Sequence, residues 1–405
     1  MSSTALSNLA DGVLKVGAPL LAVSMTRSPT LVSLAGAAAT VPWLLLALHA
    51  GALADRLDRR RIMVVANVAR AAVLSLAGLA ALLGLLDLWV LLAAVLVAGI
   101  AEVFADVSAQ SILPMTVPQN GLTRANGRVS TAQMIGNDFV GAPLAGLLVV
   151  TLPAAVFGAP ALLYGAAGLL LLGMRGTYRM DAPRAQGRPL RRDIGEALRY
   201  LWSHRVLRGL AVTAGLLNLA NAAYFAVFVL WAVGDGSRIG LEPGEYGLMT
   251  TAFAAGALPG SLLSGWAAGR FGEFRALVGC WLATSLLLIV PVVVPSPWTL
   301  YPTAVLWGVA GAAGNVLVIS ARQRLIPAEL LGRVNSAYRL VGMGGMPLGA
   351  ALGGVVAEFA GLGAVLVGAT GVCLGGVGLV WRALSDQISR PLTSAPALSD
   401  ISGSR

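Results

Sequence analysis

Twelve apolar runs of about 20 residues, separated by short charged loops, leave this chain few folds. A helix rises 1.5 Å per residue, so about 20 residues cover roughly 30 Å of hydrocarbon. The runs read as helical spans at 4–25, 30–50, 63–85, 88–108, 127–150, 153–174, 208–233, 246–268, 275–294, 298–320, 336–357 and 361–381. Only 11% of residues are charged and 57% are hydrophobic, against about 25% charged in a soluble domain. A single globule of 405 residues could not bury that much apolar surface, because cores grow too slowly with chain length. Lipid is the solvent this composition calls for, and the expected class is an all-α membrane protein. The first run lacks a basic leader and a small-residue cleavage site, so it is expected to be a retained helix.

Charge gives the orientation. The formal net charge is +10, and most of the arginines fall in short segments between the apolar runs. Arg56 to Arg61, Arg124, Arg128, the stretch from Arg175 to Arg205, Arg270, Arg275, Arg322 to Arg333, Arg382 and Arg390 all lie on one side of the span map. The other side holds Arg27, Asp87, Asp235, Arg238, Glu242, Glu245 and Glu358. By the positive-inside rule the arginine-rich loops and both termini are cytoplasmic. Basic loops beside anionic lipid account for the net charge without a nucleic-acid partner. Cys280 and Cys373 lie inside apolar runs, and His49 and His204 stand far apart. No nucleophile elbow, phosphate loop or zinc motif is present, so no metal, cofactor or enzymatic activity is expected.

The chain repeats itself. Pro118 to Asn126 reappears as Pro327 to Asn335, and Gly51 and Arg56 are echoed by Gly265 and Arg270. Both matches fall at corresponding places in the span map, as a six-plus-six duplication requires. The expected units are a half at 1–174, a linker at 175–206, a half at 207–381 and a tail at 382–405. Parallel halves of this kind place a substrate site near the bilayer midplane between them. Within the linker, Ile194, Ala197, Leu198, Leu201 and Trp202 recur at helical spacing among arginines. That pattern predicts an amphipathic helix on the cytoplasmic membrane face.

Gly51-Ala-Leu-Ala-Asp55-Arg56-Leu-Asp-Arg59-Arg60, between the second and third runs, resembles the loop signature of the major facilitator superfamily. Asp11-Gly12 with Ala18 to Leu21, Ser28-Pro29, Val41-Pro42-Trp43 and Leu331 to Asn335 look more narrowly like bacterial exporters related to macrolide and enterobactin efflux. The resemblance implies twelve transmembrane helices in two six-helix halves and secondary active transport in the inner membrane. It implies proton-coupled efflux of a small amphiphilic compound, by a chain working as a monomer in contact with membrane lipid. It also implies a conformational latch made by Gly51, Asp55, Arg56, Arg59 and Arg60, joined by Asp106 near the surface. Val95 stands where drug–proton antiporters of this superfamily often carry an arginine, four residues before Gly99. Uptake, facilitated diffusion and lipid flipping remain alternatives on the same fold.

Polar residues inside the spans are the candidate working parts, because a charge at a span's centre costs about 2.5–3.5 kcal/mol. Asp11 and Lys15 lie one turn apart on the first span, and Lys15 is the only lysine in the chain. They read as a titrating cavity pair or as an ion pair that locks the helix; both readings stand. Glu102 and Asp138 are the other candidates for proton exchange. Gln133, Asn137, Asn218, Asn221, Tyr224 and Asn315 are expected to line a cavity or to tie helices together.

Overall fold

The computed structural model describes residues 2–117, 122–174, 176, 178, 190–327 and 330–388. Helices account for nearly all of them. In order they are α1 (Ser2–Met25), α2 (Pro29–Arg56), α3 (Arg59–Leu82), α4 (Leu88–Thr116) and α5 (Leu122–Met134). A π-helical turn, Ile135–Gly141, continues α5 into α6 (Ala142–Thr151), and α7 (Ala155–Leu172) completes the first half. The short α8 (Leu190–Ser203) leads into α9 (Arg205–Ala232), α10 (Pro243–Phe271), α11 (Glu273–Leu287), α12 (Val290–Val293), α13 (Pro297–Leu325), α14 (Leu331–Ala360) and α15 (Leu362–Ile388). Taking α5 with α6, and α11 with α12, as single spans gives six crossings per half. Eleven spans among the described residues are long and apolar enough to cross a membrane on composition alone. The twelfth, α10, has 29 residues but is rich in Gly, Ala, Ser and Thr.

The helices begin where the sequence carries start signals. Ser28 caps α2 with Pro29 at the first turn, Asp58 caps α3, and Asp87 caps α4 through Val90 N at 2.7 Å. Ser296 and Pro297 open α13 in the same way. Each cap satisfies an amide that the first helical turn leaves free, and proline fits there because it has no such amide.

Small residues set how closely helices approach. Gly256 and Gly260 of α10, spaced four apart, lie against α13; a Cβ on Gly256 would come within 1.9 Å of Val305 O. Helices in lipid associate by such close packing because burial of apolar surface supplies no drive there.

The two halves meet along α2 with α14 and along α6 with α10. Ser33 fits against Gly354, Gly36 against Ala350, and Gly146 against Pro243. These contacts lie toward the end carrying the loops at 26–28, 233–242 and 361. At the other end, that of the arginine-rich loops, a groove of about 260 Å³ opens beside Ser2, Ala5, Arg128 and Val129. The halves are therefore in contact at the end of these loops, and the groove at the basic end lies between α1 and α5 of the first half.

Some boundaries differ from expectation. α4 continues to Thr116 rather than ending near 108: Ser108 is buried and Ser111 Oγ donates to Val107 O at 2.8 Å within the helix, so these residues do not mark a loop. The linker helix forms as α8, and it packs on α14 and α9, burying Ala197 and Leu201 while Trp202 stays exposed.

Candidate functional site

The first half holds a charge cluster drawn from four helices. Arg70, in the middle of α3, is 1% exposed. A guanidinium buried in a spanning helix needs counter-charge, and Arg70 has two carboxylates. Its Nη2 donates to Asp11 Oδ1 of α1 and lies 3.3 Å from Glu102 Oε2 of α4. The guanidinium stacks on the Tyr164 ring of α7 at 4.1 Å from its centroid. The Tyr164 hydroxyl donates to the same Asp11 oxygen at 2.6 Å. Arg70 Nε and Nη1 have no hydrogen-bond partner among the described residues.

The two acids are held differently. Asp11 is 12% exposed and fixed by two donors; Glu102 is 32% exposed and touches Arg70 along one edge. Asp106, one turn further along α4, sits within the field of Asp11 and Arg70. Toward the basic end a polar line continues on α1 and α3: Ser7 Oγ lies 3.5 Å from Asn67 Oδ1, and Asn67 and Asn8 are buried.

The expected partnership of Asp11 with Lys15 is replaced by Asp11 with Arg70. Lys15 lies one turn away but projects into open space, and it makes no ion pair or hydrogen bond among the described residues. The other faces of α1 pack on α2, α4, α6, α7 and the π turn, so the open space beside Lys15 is the wedge between the halves. Its charge acts on Glu102 and Asp138 across that space. Sequence reasoning missed Arg70, Tyr164 and Asn67. Arg70 had a signal, a charge inside the third apolar run; Tyr164 had none.

Asp138 lies on the π turn, whose backbone is pressed against α1. A Cβ on Gly12 would meet Asn137 O at 2.4 Å, and Gly141 packs against Gly12. The Asp138 carbonyl accepts from Thr251 Oγ1 of α10 at 2.8 Å, across the junction of the halves. Asn137 Oδ1 is buried with no partner among the described residues, and Gln133 is exposed.

The basic loop is anchored within its own half. Asp58 accepts from Arg60 N at 2.9 Å. Arg59 is buried and donates to Ala54 O at 3.1 Å, Ser111 O at 3.3 Å and Met115 Sδ at 2.7 Å. Arg60 donates to Leu171 O at 2.7 Å and to Leu172 O. Arg56 is exposed, Gly51 has no neighbour within 4 Å of where a Cβ would stand, and the Asp55 side chain lies outside the described residues. The loop meets α4 at Ser111 and Met115, beyond Asp106. Because α4 runs longer than expected, Asp106 is placed among the core charges and not beside the loop.

In the second half the expected lining residues mostly tie helices. Asn218 Nδ2 donates to Gly342 O at 2.8 Å, and Asn221 Oδ1 is buried with no partner among the described residues. Tyr224 is 1% exposed and donates to Leu288 O at 2.9 Å. It stacks on Phe228 in a cluster with Phe225, Phe253 and Trp307. Asn315, expected to be buried, is exposed on α13. The stripe of Asn218, Asn221 and Tyr224 therefore turns into the half rather than toward the wedge.

The family model described as "Transmembrane secretion effector" matches residues 2–393. The chain is 28% identical over 385 residues to the enterobactin exporter EntS of Citrobacter koseri, covering 91% of this chain and 85% of that one. It is 27% identical over 373 residues to the multidrug efflux pump Tap of Mycolicibacterium fortuitum, covering 87% of each. Its fold is similar to a bacterial homologue of the iron transporter ferroportin in an inward-facing state, with TM-score 0.72, 16% identity and coverage of 96% and 97%. It is also similar to the nucleoside transporter NupG, with TM-score 0.74, 13% identity and coverage of 94% and 97%.

Proposed function

We propose a function from one premise: this chain belongs to the transmembrane secretion effector family of the major facilitator superfamily. It is a multi-pass membrane transporter and not an enzyme. Our reading is that it exports a small amphiphilic compound across the inner membrane by alternating access, in exchange for protons. The arginine-rich loops and both termini then face the cytoplasm, and the described state is closed to the outside and open to the cytoplasm. The working units are the halves 1–174 and 207–381, joined by 175–206 and followed by the tail 382–405. The transporter acts as a monomer, with protons, substrate and lipid as its partners. The relatives named as exporters and efflux pumps support the direction.

One observation carries the proton coupling: a single buried arginine shared by two carboxylates of unequal access. Asp11, fixed by Arg70 and Tyr164, is the constant counter-ion. Glu102, held along one edge and open to the wedge, is the group that takes and releases the proton. When Glu102 is protonated, Arg70 is neutralised by Asp11 alone; when it is ionised, the cluster carries a net negative charge that draws the next proton. One charge moved through 100 mV is worth about 2.3 kcal/mol, enough to drive useful accumulation. Asp11, Arg70 and Asp106 set most of the field around Glu102, and Lys15 adds a smaller part opposing the two acids.

The test uses everted membrane vesicles from a strain lacking its own pumps, loaded with a panel of amphiphilic compounds. Uptake into the vesicles should need an acidic interior and collapse with a protonophore. Glu102→Gln should lose gradient-driven uptake and keep downhill exchange. Uptake indifferent to the protonophore would overturn proton coupling. Gradient-driven uptake by Glu102→Gln would remove Glu102 from the role and leave Asp138 as the carrier.

A further inference from the structure

At the closed end, one carboxylate of the second half sits on a helix start of the first. Glu358 is in the last turn of α14, and its Oε2 accepts from Ser28 Oγ at 2.8 Å and from Thr30 N at 3.3 Å. Ser28 and Thr30 form the first turn of α2, where amides are free and the helix dipole favours an anion. Three further contacts brace the same place. Thr30 Oγ1 donates to Gly354 O at 3.3 Å, one turn before Glu358. Gly354 leaves no room for a side chain, since a Cβ there would meet Ser33 Oγ at 1.8 Å. Arg27 Nη1 donates to Val233 O at the end of α9, at 3.1 Å. Gly234, at φ +88°, keeps clear of the same guanidinium, where a Cβ would stand 2.5 Å from Arg27 Nη2.

The basic end is the reverse. There the described donors of Arg59 and Arg60 go to carbonyls and a thioether of their own half. The contacts just described at the other end thus join the two halves, through α2 and α14 and through Arg27 and α9.

We infer that Glu358 is a gate residue of the transport cycle: from α14 it caps α2 and holds the end away from the basic loops shut, and its release accompanies opening of that end. The position of the cap explains why it acts as a gate. α2 and α14 run antiparallel across the junction, so separating the halves at this end must pull Glu358 off Ser28 and Thr30 before anything deeper parts. Closing at the same end re-forms the contact in one step, because donors and acceptor are on rigid helix ends. The inference concerns conformation alone and stands whether or not protons drive transport, so the outcome below is independent of the vesicle assay.

The test is a distance measurement on the full chain in lipid nanodiscs. Spin labels are placed by Leu85→Cys in the α3–α4 loop and Val294→Cys before α13, in a background of Cys280→Ala and Cys373→Ala. Both positions are exposed at the closed end, one in each half. The parent should show one narrow distance population. Glu358→Ala should shift a several-fold larger population to a longer distance with an unchanged Tm. Ser28→Asp keeps a cap on α2 but replaces the hydroxyl donor by a carboxylate facing Glu358, and it should shift the population in the same direction, which guards against a folding defect in one variant. An unchanged distance distribution in both variants overturns the inference.

Discussion

The two halves share a six-helix plan but fill it with different chemistry. The middle of the first holds Asp11, Arg70, Glu102 and Tyr164 in direct contact. The middle of the second holds Tyr224, Phe225, Phe228, Phe253 and Trp307, ring against ring. An ion cluster in lipid is nearly all-or-none, since each charge is tolerable only while its partner stays. An aromatic cluster is graded, because each ring contributes about 0.5–1.5 kcal/mol beyond burial and can be replaced without stranding a neighbour. On our reading the ionic half senses protons, while the aromatic cluster, with Tyr224 and Phe228 each 1% exposed, packs its own half.

The largest effect should follow from removing the shared cation. Arg70→Met strands Asp11 and Glu102 and should destabilise the chain by about 3–5 kcal/mol, seen as a fall in detergent Tm. The triple change with Asp11→Asn and Glu102→Gln should recover most of that loss, since no unpaired charge is left. Recovery of stability without recovery of gradient-driven transport separates the structural part of the cluster from its working part. A triple variant as unstable as Arg70→Met alone would break the ionic account of the first half.

A finer comparison uses the same deletion in each half. Tyr164→Phe removes a hydroxyl from a carboxylate, and Tyr224→Phe removes one from a main-chain carbonyl. Hydrogen bonds to charged groups contribute about 1.5–3 kcal/mol, so Tyr164→Phe should lower stability clearly. Tyr224→Phe should cost about 0.6 kcal/mol, the typical value for a polar contact between spanning helices. Equal costs would erase the distinction between the halves. The smallest effect belongs to Asn218→Leu, which loses one interhelical bond to Gly342 O and should stay near about 0.6 kcal/mol as well.

Much of this was legible in the sequence, for physical reasons. Apolar runs of bilayer length report the solvent directly, so the spans could be argued residue by residue. The repeat at Pro118 and Pro327 marked the two halves. The site was harder. Asp11 and Lys15 are neighbours by helical spacing, but a spanning helix is apolar on every face, so its sequence does not say which way each turn looks. The structure turns Asp11 toward α3 and α7, and Lys15 toward the wedge. For the same reason the stripe from Asn218 to Tyr224 read equally as a lining or as ties between helices, and the bonds of Asn218 to Gly342 O and of Tyr224 to Leu288 O are ties. Arg70 was visible as a charge in an apolar run, yet its partners come from three other helices, which no local pattern encodes. Asp106 was placed too shallow because Ser108, Gln110 and Ser111 resemble a loop and are helix.

The π turn at Ile135–Gly141 has a kinematic consequence. A π turn holds one residue more than an α turn, so the fifth span stores one residue of slack. Moving that slack along the helix turns the residues it passes by about 100° and shifts them by about 1.5 Å, while the segments on either side keep their places. α6, beyond the turn, is clamped to α10 through Gly146 and Gly247. α5, before the turn, carries Gln133 and borders the open groove. Asp138 lies within that turn, between the clamped α6 and α5, so a shift of the slack would re-aim its side chain without moving either segment.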